Sequence, residues 1–170
     1  IHARDETSLG VRLDGRILTR PAEVGDRVYA GKVLATLESS TTANALRSAM
    51  ADTDSARATE RGAALNLHRM KQLMPSCAIA RAQLDSAQSD WHSAAAHLQS
   101  SEAALNSAQE NLRWTQLTAP FSGAITAVSA SAGQVVRTGH TVMSLASGAR
   151  RAVVLDVPFP AAFSSLPSDA

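Results

Sequence analysis

The feature that most constrains this chain is a stretch of sequence that occurs twice. Residues 15–37, GRILTRPAEVGDRVYAGKVLATL, are matched by residues 123–145, GAITAVSASAGQVVRTGHTVMSL. Glycines fall at Gly15, Gly25 and Gly31 in the first copy and at Gly123, Gly133 and Gly139 in the second, with the same spacing and no gap. The apolar positions repeat with them: Ile17 with Ile125, Val28 with Val136, Val33 with Thr141, Leu34 with Val142, and Leu37 with Leu145. Self-similarity of this kind marks two copies of one structural unit. β-forming runs such as Gly15–Leu18 and Arg27–Tyr29 stand between turn residues, so each copy reads as about four short strands with one apolar face. All six glycines are read as structural turns of the two copies. Positive φ is assigned to Gly25, Gly31, Gly133 and Gly139. Neither copy buries its apolar face alone, but two packed together form a small β-sandwich.

Between Leu37 and Gly123 the composition changes. Gly62 is the only glycine there, and Ala, Gln, Ser and Leu take over. The chain as a whole is 45% hydrophobic but only 4% aromatic, a balance that suits closely packed helices. From Leu84 the sequence Leu84, Ala87, Trp91, Ala94, Leu98, Ser101, Leu105, Ala108, Leu112 alternates steps of three and four, the seam of a coiled coil. A first arm aligns as Leu46, Ala49, Thr53, Ala56, Glu60, Ala63, Leu67, Met70 and Met74, with Thr53 and Glu60 as polar interruptions. Met74-Pro75-Ser76 separates the arms, because proline disfavours helical geometry in the residue before it and Ser76 suits a helix cap. The spacing predicts antiparallel helices over 40–73 and 77–114 with the tip near Pro75, each about 50 Å long. The fold class is therefore α+β: a split β-sandwich with a long inserted coiled-coil hairpin.

Chemistry finds little support in the side chains. Sixteen Lys and Arg balance fifteen Asp and Glu, so no basic surface advertises nucleic acid. A lone Cys77 forms no internal disulfide. His2, His68, His92, His97 and His140 show no metal-ligand spacing, and no nucleophile elbow is present, so no catalytic, metal or cofactor site is assigned. His140 is read as a solvated loop side chain, Trp91 as seam packing and Trp114 as packing where helix meets sandwich.

The glycine-spaced halves resemble lipoyl (biotinyl-lipoyl) half-motifs. Leu112-Arg113-Trp114-Thr115-Gln116-Leu117-Thr118-Ala119-Pro120-Phe121-Ser122-Gly123 resembles the junction between hairpin and lipoyl domain in periplasmic adaptor proteins. These are also called membrane fusion proteins, of the HlyD/AcrA-like family, and the insertion length points to adaptors of RND-type tripartite efflux pumps. The resemblance implies a lipoyl-like half over residues 15–37, a hairpin over 38–118 and the second half over 119–147. It also implies an N-terminal β-barrel strand over 1–14 and the start of that barrel over 148–170. At the tip, Arg69 and Leu73 match the family pattern, Ala80 stands where it has serine, and Ser76 lies one turn earlier. By resemblance these four residues bind an outer-membrane channel. The other implied partners are an inner-membrane RND transporter and further copies of the chain in a hexameric ring. The implied location is the periplasm, with anchorage to the inner membrane in the full-length protein. An adaptor of an ABC-type exporter or type I secretion system is the alternative. A lipoyl or biotinyl carrier fits less well: the modified lysine belongs at the hairpin joining the two halves, where this chain has its coiled coil, and Lys32 and Lys71 lie elsewhere.

Overall fold

The structure, a computed structural model, describes residues 2–3, 6–76, 80–147 and 151–152. Cys77 and most of residues 148–170 lie outside them. The elements in chain order are β1 (His2–Ala3), β2 (Glu6–Gly10), β3 (Gly15–Thr19), β4 (Arg27–Val28), β5 (Val33–Leu37) and α1 (Ser40–Leu73). A 3-10 turn at Met74–Ser76 leads on to α2 (Arg81–Arg113). The chain then forms β6 (Gln116–Thr118), β7 (Gly123–Val128), β8 (Val135–Val136), β9 (Thr141–Ser147) and β10 (Arg151–Ala152).

Two four-stranded sheets, ordered β2-β9-β7-β4 and β6-β5-β3-β8, make the sandwich. The repeat interlocks across them. Each sheet takes its two inner strands from one copy and its two outer strands from the other. Register follows the repeat residue by residue. Ile17 faces Leu37 and Thr19 faces Thr36, as Ile125 faces Leu145 and Ala127 faces Ser144. Gly15 faces Val136 as Gly123 faces Val28. Loop bonds repeat as well: Gly31 N–H donates to Ala119 O and Gly139 N–H to Val11 O. One such bond has no counterpart, because Ser129 N–H donates to Val142 O while the equivalent residue, Pro21, has no N–H.

The core is built from matched pairs: Ile17 and Ile125, Leu34 and Val142, Leu37 and Leu145, Val28 and Val136 are all buried. Each large aliphatic side chain removed from water contributes about 1.5–3 kcal/mol. Leu9 and Val11 join this core opposite Leu117 and Ala119. The resemblance places residues 1–14 in a barrel strand, but within them the structure puts Glu6–Gly10 in the sandwich: β2 pairs along β9, as β6 pairs along β5. β2 is the fourth strand of the first copy, held there by the burial of Leu9.

The six glycines divide into two kinds. Gly25, Gly31, Gly133 and Gly139 have φ of 96°, 88°, 86° and 84°, the left-handed region that side chains resist. Gly15 and Gly123 do not turn; they open β3 and β7. Gly123 is there for close approach, since a Cβ would collide with the carbonyl oxygen of Ala146.

In the hairpin, Ala87, Ala94, Ser101 and Ala108 of α2 are buried once per heptad, with Leu84, Trp91, Leu98 and Leu105 half-buried between them. The polar seam residues are paired. Thr53 Oγ1 donates to Ala49 O at 2.8 Å and lies 3.1 Å from Ser101 O on the facing helix. Trp91 Nε1 donates to Glu60 Oε1 at 2.8 Å. Counting outward from the Thr53–Ser101 contact sets Ala56 against Leu98, Ala63 against Trp91 and Leu67 against Ala87. Large faces small in these layers, which lets the helices approach closely.

Candidate functional site

The tip departs from the sequence reading in two ways. Met74, before proline, is helical at φ −58° and ψ −42°, and its N–H donates to Met70 O. The chain tightens there into a 3-10 turn that accommodates Pro75, whose fixed φ suits it. Ser76 does not cap α2: its Oγ donates to Leu73 O at 2.8 Å and closes the turn behind it. The second helix starts at Arg81, after an extended Ala80 that offers no side-chain cap.

Arg69 and Leu73 lie one turn apart on α1 and are both exposed, Leu73 by 37%. Leu65, another turn back, is 65% exposed. None of the three belongs to the seam, which runs through Leu67 and Met70. Arg69 makes no ion pair or side-chain hydrogen bond with another described residue, whereas its neighbour His68 bonds Gln72. The tip thus offers a cation between two apolar side chains, all facing away from α2. Ser76 and Ala80 are exposed near it, on the turn and at the start of α2.

The base of the hairpin holds a second cluster, in which the sequence singled out Trp114 as packing but not Arg12. Arg12, after β2, lies over the ring of Trp114 at 5.7 Å from its centroid. A groove of about 490 Å³ opens there, lined among others by Leu9, Arg12, Arg113, Trp114, Leu117 and Pro120. Arg12 could have been found through the repeat, since extending it upstream aligns Leu9 with Leu117 and Val11 with Ala119. At the neighbouring turn, Asp14 accepts from Thr138 N–H at 2.6 Å and from the Thr138 hydroxyl at 2.9 Å. These bonds, with Arg137 nearby, hold its carboxyl below the ordinary value of 3.8. Among the described residues no group of three or more His, Cys, Asp or Glu is placed to hold a metal. No helix among them is long and apolar enough to cross a membrane.

A sandwich woven from two half-motifs, with a helical hairpin inserted between them, is the architecture of a membrane fusion protein. Residues 6–147 match the model of the CzcB-like barrel-sandwich hybrid domain, and the chain belongs to that family of periplasmic adaptors. The multidrug resistance protein MdtA of Klebsiella pneumoniae is 31% identical over 141 residues, which is 83% of this chain and 34% of MdtA. The chain therefore spans about a third of the length of the curated relatives it matches. The crystal structure of ZneB from Cupriavidus metallidurans is similar with a TM-score of 0.62 at 28% identity, over 86% of this chain and 63% of ZneB. A MacA–MexA chimera carrying the Pseudomonas aeruginosa MexA α-hairpin domain gives 0.63 at 25% identity, over 86% of this chain and 49% of the chimera.

Proposed function

We propose that this chain is the hairpin-bearing part of a periplasmic adaptor in a tripartite efflux pump. In this reading it bridges an inner-membrane RND transporter to a TolC-type outer-membrane channel and performs no chemistry. It works in the periplasm, and the full-length protein is anchored to the inner membrane. Residues 148–170 begin a β-barrel domain; the short ladder of β1 with β10, at the far end of β2 and β9, is consistent with a further unit there. The relative named as a multidrug resistance protein favours drugs or other small toxic compounds as cargo.

The observation that carries the reading is the exposed Arg69–Leu73 pair at the end of the hairpin, with Leu65 exposed one turn further back on the same face. Leu73 fills an apolar notch between channel helices, and Arg69 donates charge-assisted bonds to carbonyl or carboxylate oxygens there. Ala80 lacks a hydroxyl, so that position gives no side-chain bond, a difference of about 0.5–1.5 kcal/mol per copy. Six copies in a ring multiply small contacts into a stable junction through avidity.

A photo-crosslinker at the exposed Gln72 tests this in cells. The expected product joins the adaptor to an outer-membrane channel and disappears with Arg69→Asp, which abolishes efflux while helix content stays intact. Equal efflux at equal expression would overturn the tip assignment. Co-purification of an ABC ATPase in place of an RND transporter would move the chain to the alternative class of pump.

A further inference from the structure

Little joins the hairpin to the sandwich: α1 and α2 pack on each other, and among the described residues no strand packs along either helix. Two short links connect them, Glu38–Ser39 on the way out and Trp114–Thr115 on the way back. The backbone ties at these links are Glu38 N–H to Arg16 O at 2.8 Å and Leu37 N–H to Thr115 O at 2.7 Å. On the helix side Ala43 N–H donates to Ser39 O, and the N–H and hydroxyl of the buried Thr115 both donate to Leu112 O, so Thr115 joins α2 to β5. Side-chain contacts across these two-residue links add to the backbone bonds in setting where the arm points.

We infer that Arg12 is a positioning residue that latches the returning helix by its cation–π contact with Trp114, and so sets the angle of the hairpin on the sandwich. Trp114 caps α2, its N–H donating to Glu110 O, so the indole moves with the helix. Arg12, by contrast, is anchored to the sandwich. Val11 N–H donates to His140 O and Gly139 N–H to Val11 O, and Arg12 O lies 3.3 Å from the Thr138 hydroxyl, whose proton goes to Asp14. Asp14, two residues on, takes both the N–H and the hydroxyl of Thr138. The guanidinium thus reaches from a braced turn to a ring on the arm. The groove beside it leaves room for α2 to swing when the contact is lost. The outgoing link has a weaker tie, the exposed Arg16–Glu38 pair at 3.4 Å, which salt screens.

The latch predicts a measurable angle. Spin labels at Ser131 on the sandwich and Gln99 on the hairpin, both exposed, report it in the whole chain with Cys77 replaced by serine. The parent should give one narrow distance distribution that high salt leaves in place. Arg12→Gln should broaden it, raising the displaced population about two- to fivefold, the ratio an exposed cation–π contact supports. Arg12→Lys and Trp114→Phe, which keep a cation and a ring, should fall between, and Trp114→Leu should match Arg12→Gln. Melting and helix content should stay at parent values, separating lost orientation from lost folding. A distribution unchanged in Arg12→Gln, or one already broad in the parent, overturns the latch. Neither outcome bears on channel docking, which the Gln72 crosslink reads by itself.

Discussion

At the scale of single residues, the repeat supplies its own controls. Gly15 and Gly123 are equivalent by sequence, yet their surroundings differ. A Cβ on Gly15 would lie 3.3 Å from Leu37 Cδ2, an atom at the end of a side chain that can move. On Gly123 it would strike the Ala146 backbone. Gly123→Ala should therefore cost about 1–3 kcal/mol in urea denaturation, as overpacking does, and Gly15→Ala clearly less. Equal losses would mean that both sites are set by backbone entropy alone. Gly133 differs again: nothing lies near its absent Cβ, so Gly133→Ala isolates the cost of left-handed backbone, about 1–2 kcal/mol. Asp14 gives a pH prediction whose sign is fixed by its lowered pKa. Its bonds to Thr138 are present above the ordinary carboxylate value of 3.8 and are lost as pH falls through the lower folded value. Asp14→Asn should melt below the parent at pH 7, and the two curves should converge under strong acid. A gap that persists there would assign the loss to packing.

At the scale of elements, the two halves of the chain were readable to different depths. The heptad from Leu84 to Leu112 names the buried face of α2 correctly because large and small side chains alternate throughout, with Trp91 in a Leu position and Ser101 in an Ala position, and burial follows the pattern. The start of α2 was not readable. Pro75 suggests a break and Ser76 a cap, but the serine bonds backwards to Leu73, a choice between two neighbouring backbone partners that composition does not decide. The strand over 1–14 was given to the wrong unit for another reason: the glycine of β2 does not align with the repeat, and only Leu9 and Val11 carry the periodic signal. The tip residues are exposed as a docking surface requires, but exposure alone names no partner. Glu60 marks a place where local pattern and packing disagree, since a half-buried carboxylate occupies a seam position and accepts from Trp91 Nε1. Glu60→Leu restores the large-against-small pattern opposite Ala94 and lets the half-buried indole N–H turn to water. Removing one partner of a hydrogen bond costs little where the group left behind reaches water, as the half-buried indole N–H can. The melting temperature followed by helical circular dichroism should hold or rise. A fall would show that the Trp91 bond contributes more than the side-chain packing replacing it.

At the scale of the whole molecule, the hairpin is an insertion into a β-hairpin. β5 and β6 are antiparallel neighbours, with Thr36 facing Gln116, and everything from Ser40 to Arg113 leaves and returns between them. The repeat places β9 and β2 in the same relation at the other crossing, where β10 and β1 continue as a short paired ladder. The sandwich is thus a coupler with two equivalent exits, and its core, from Leu9 to Leu145, contains no residue of either helix. This independence has a direct test. Joining Ser39 to Trp114 through a Gly-Asn turn should leave a cooperatively folding β-module, since every strand pairing and every core side chain is retained. The smaller module has little surplus stability, as expected for its size, but the inserted arm adds no core contact whose removal would lower it. Its urea midpoint should equal or exceed the parent's, its denaturant slope should fall with the surface removed, and its amide NMR spectrum should stay dispersed. A collapsed spectrum without a cooperative transition would show that the helices support the sandwich through the elbow. In that case the arm would be a folding element as well as a reach, and substitutions at its base would be expected to lower stability along with changing its angle.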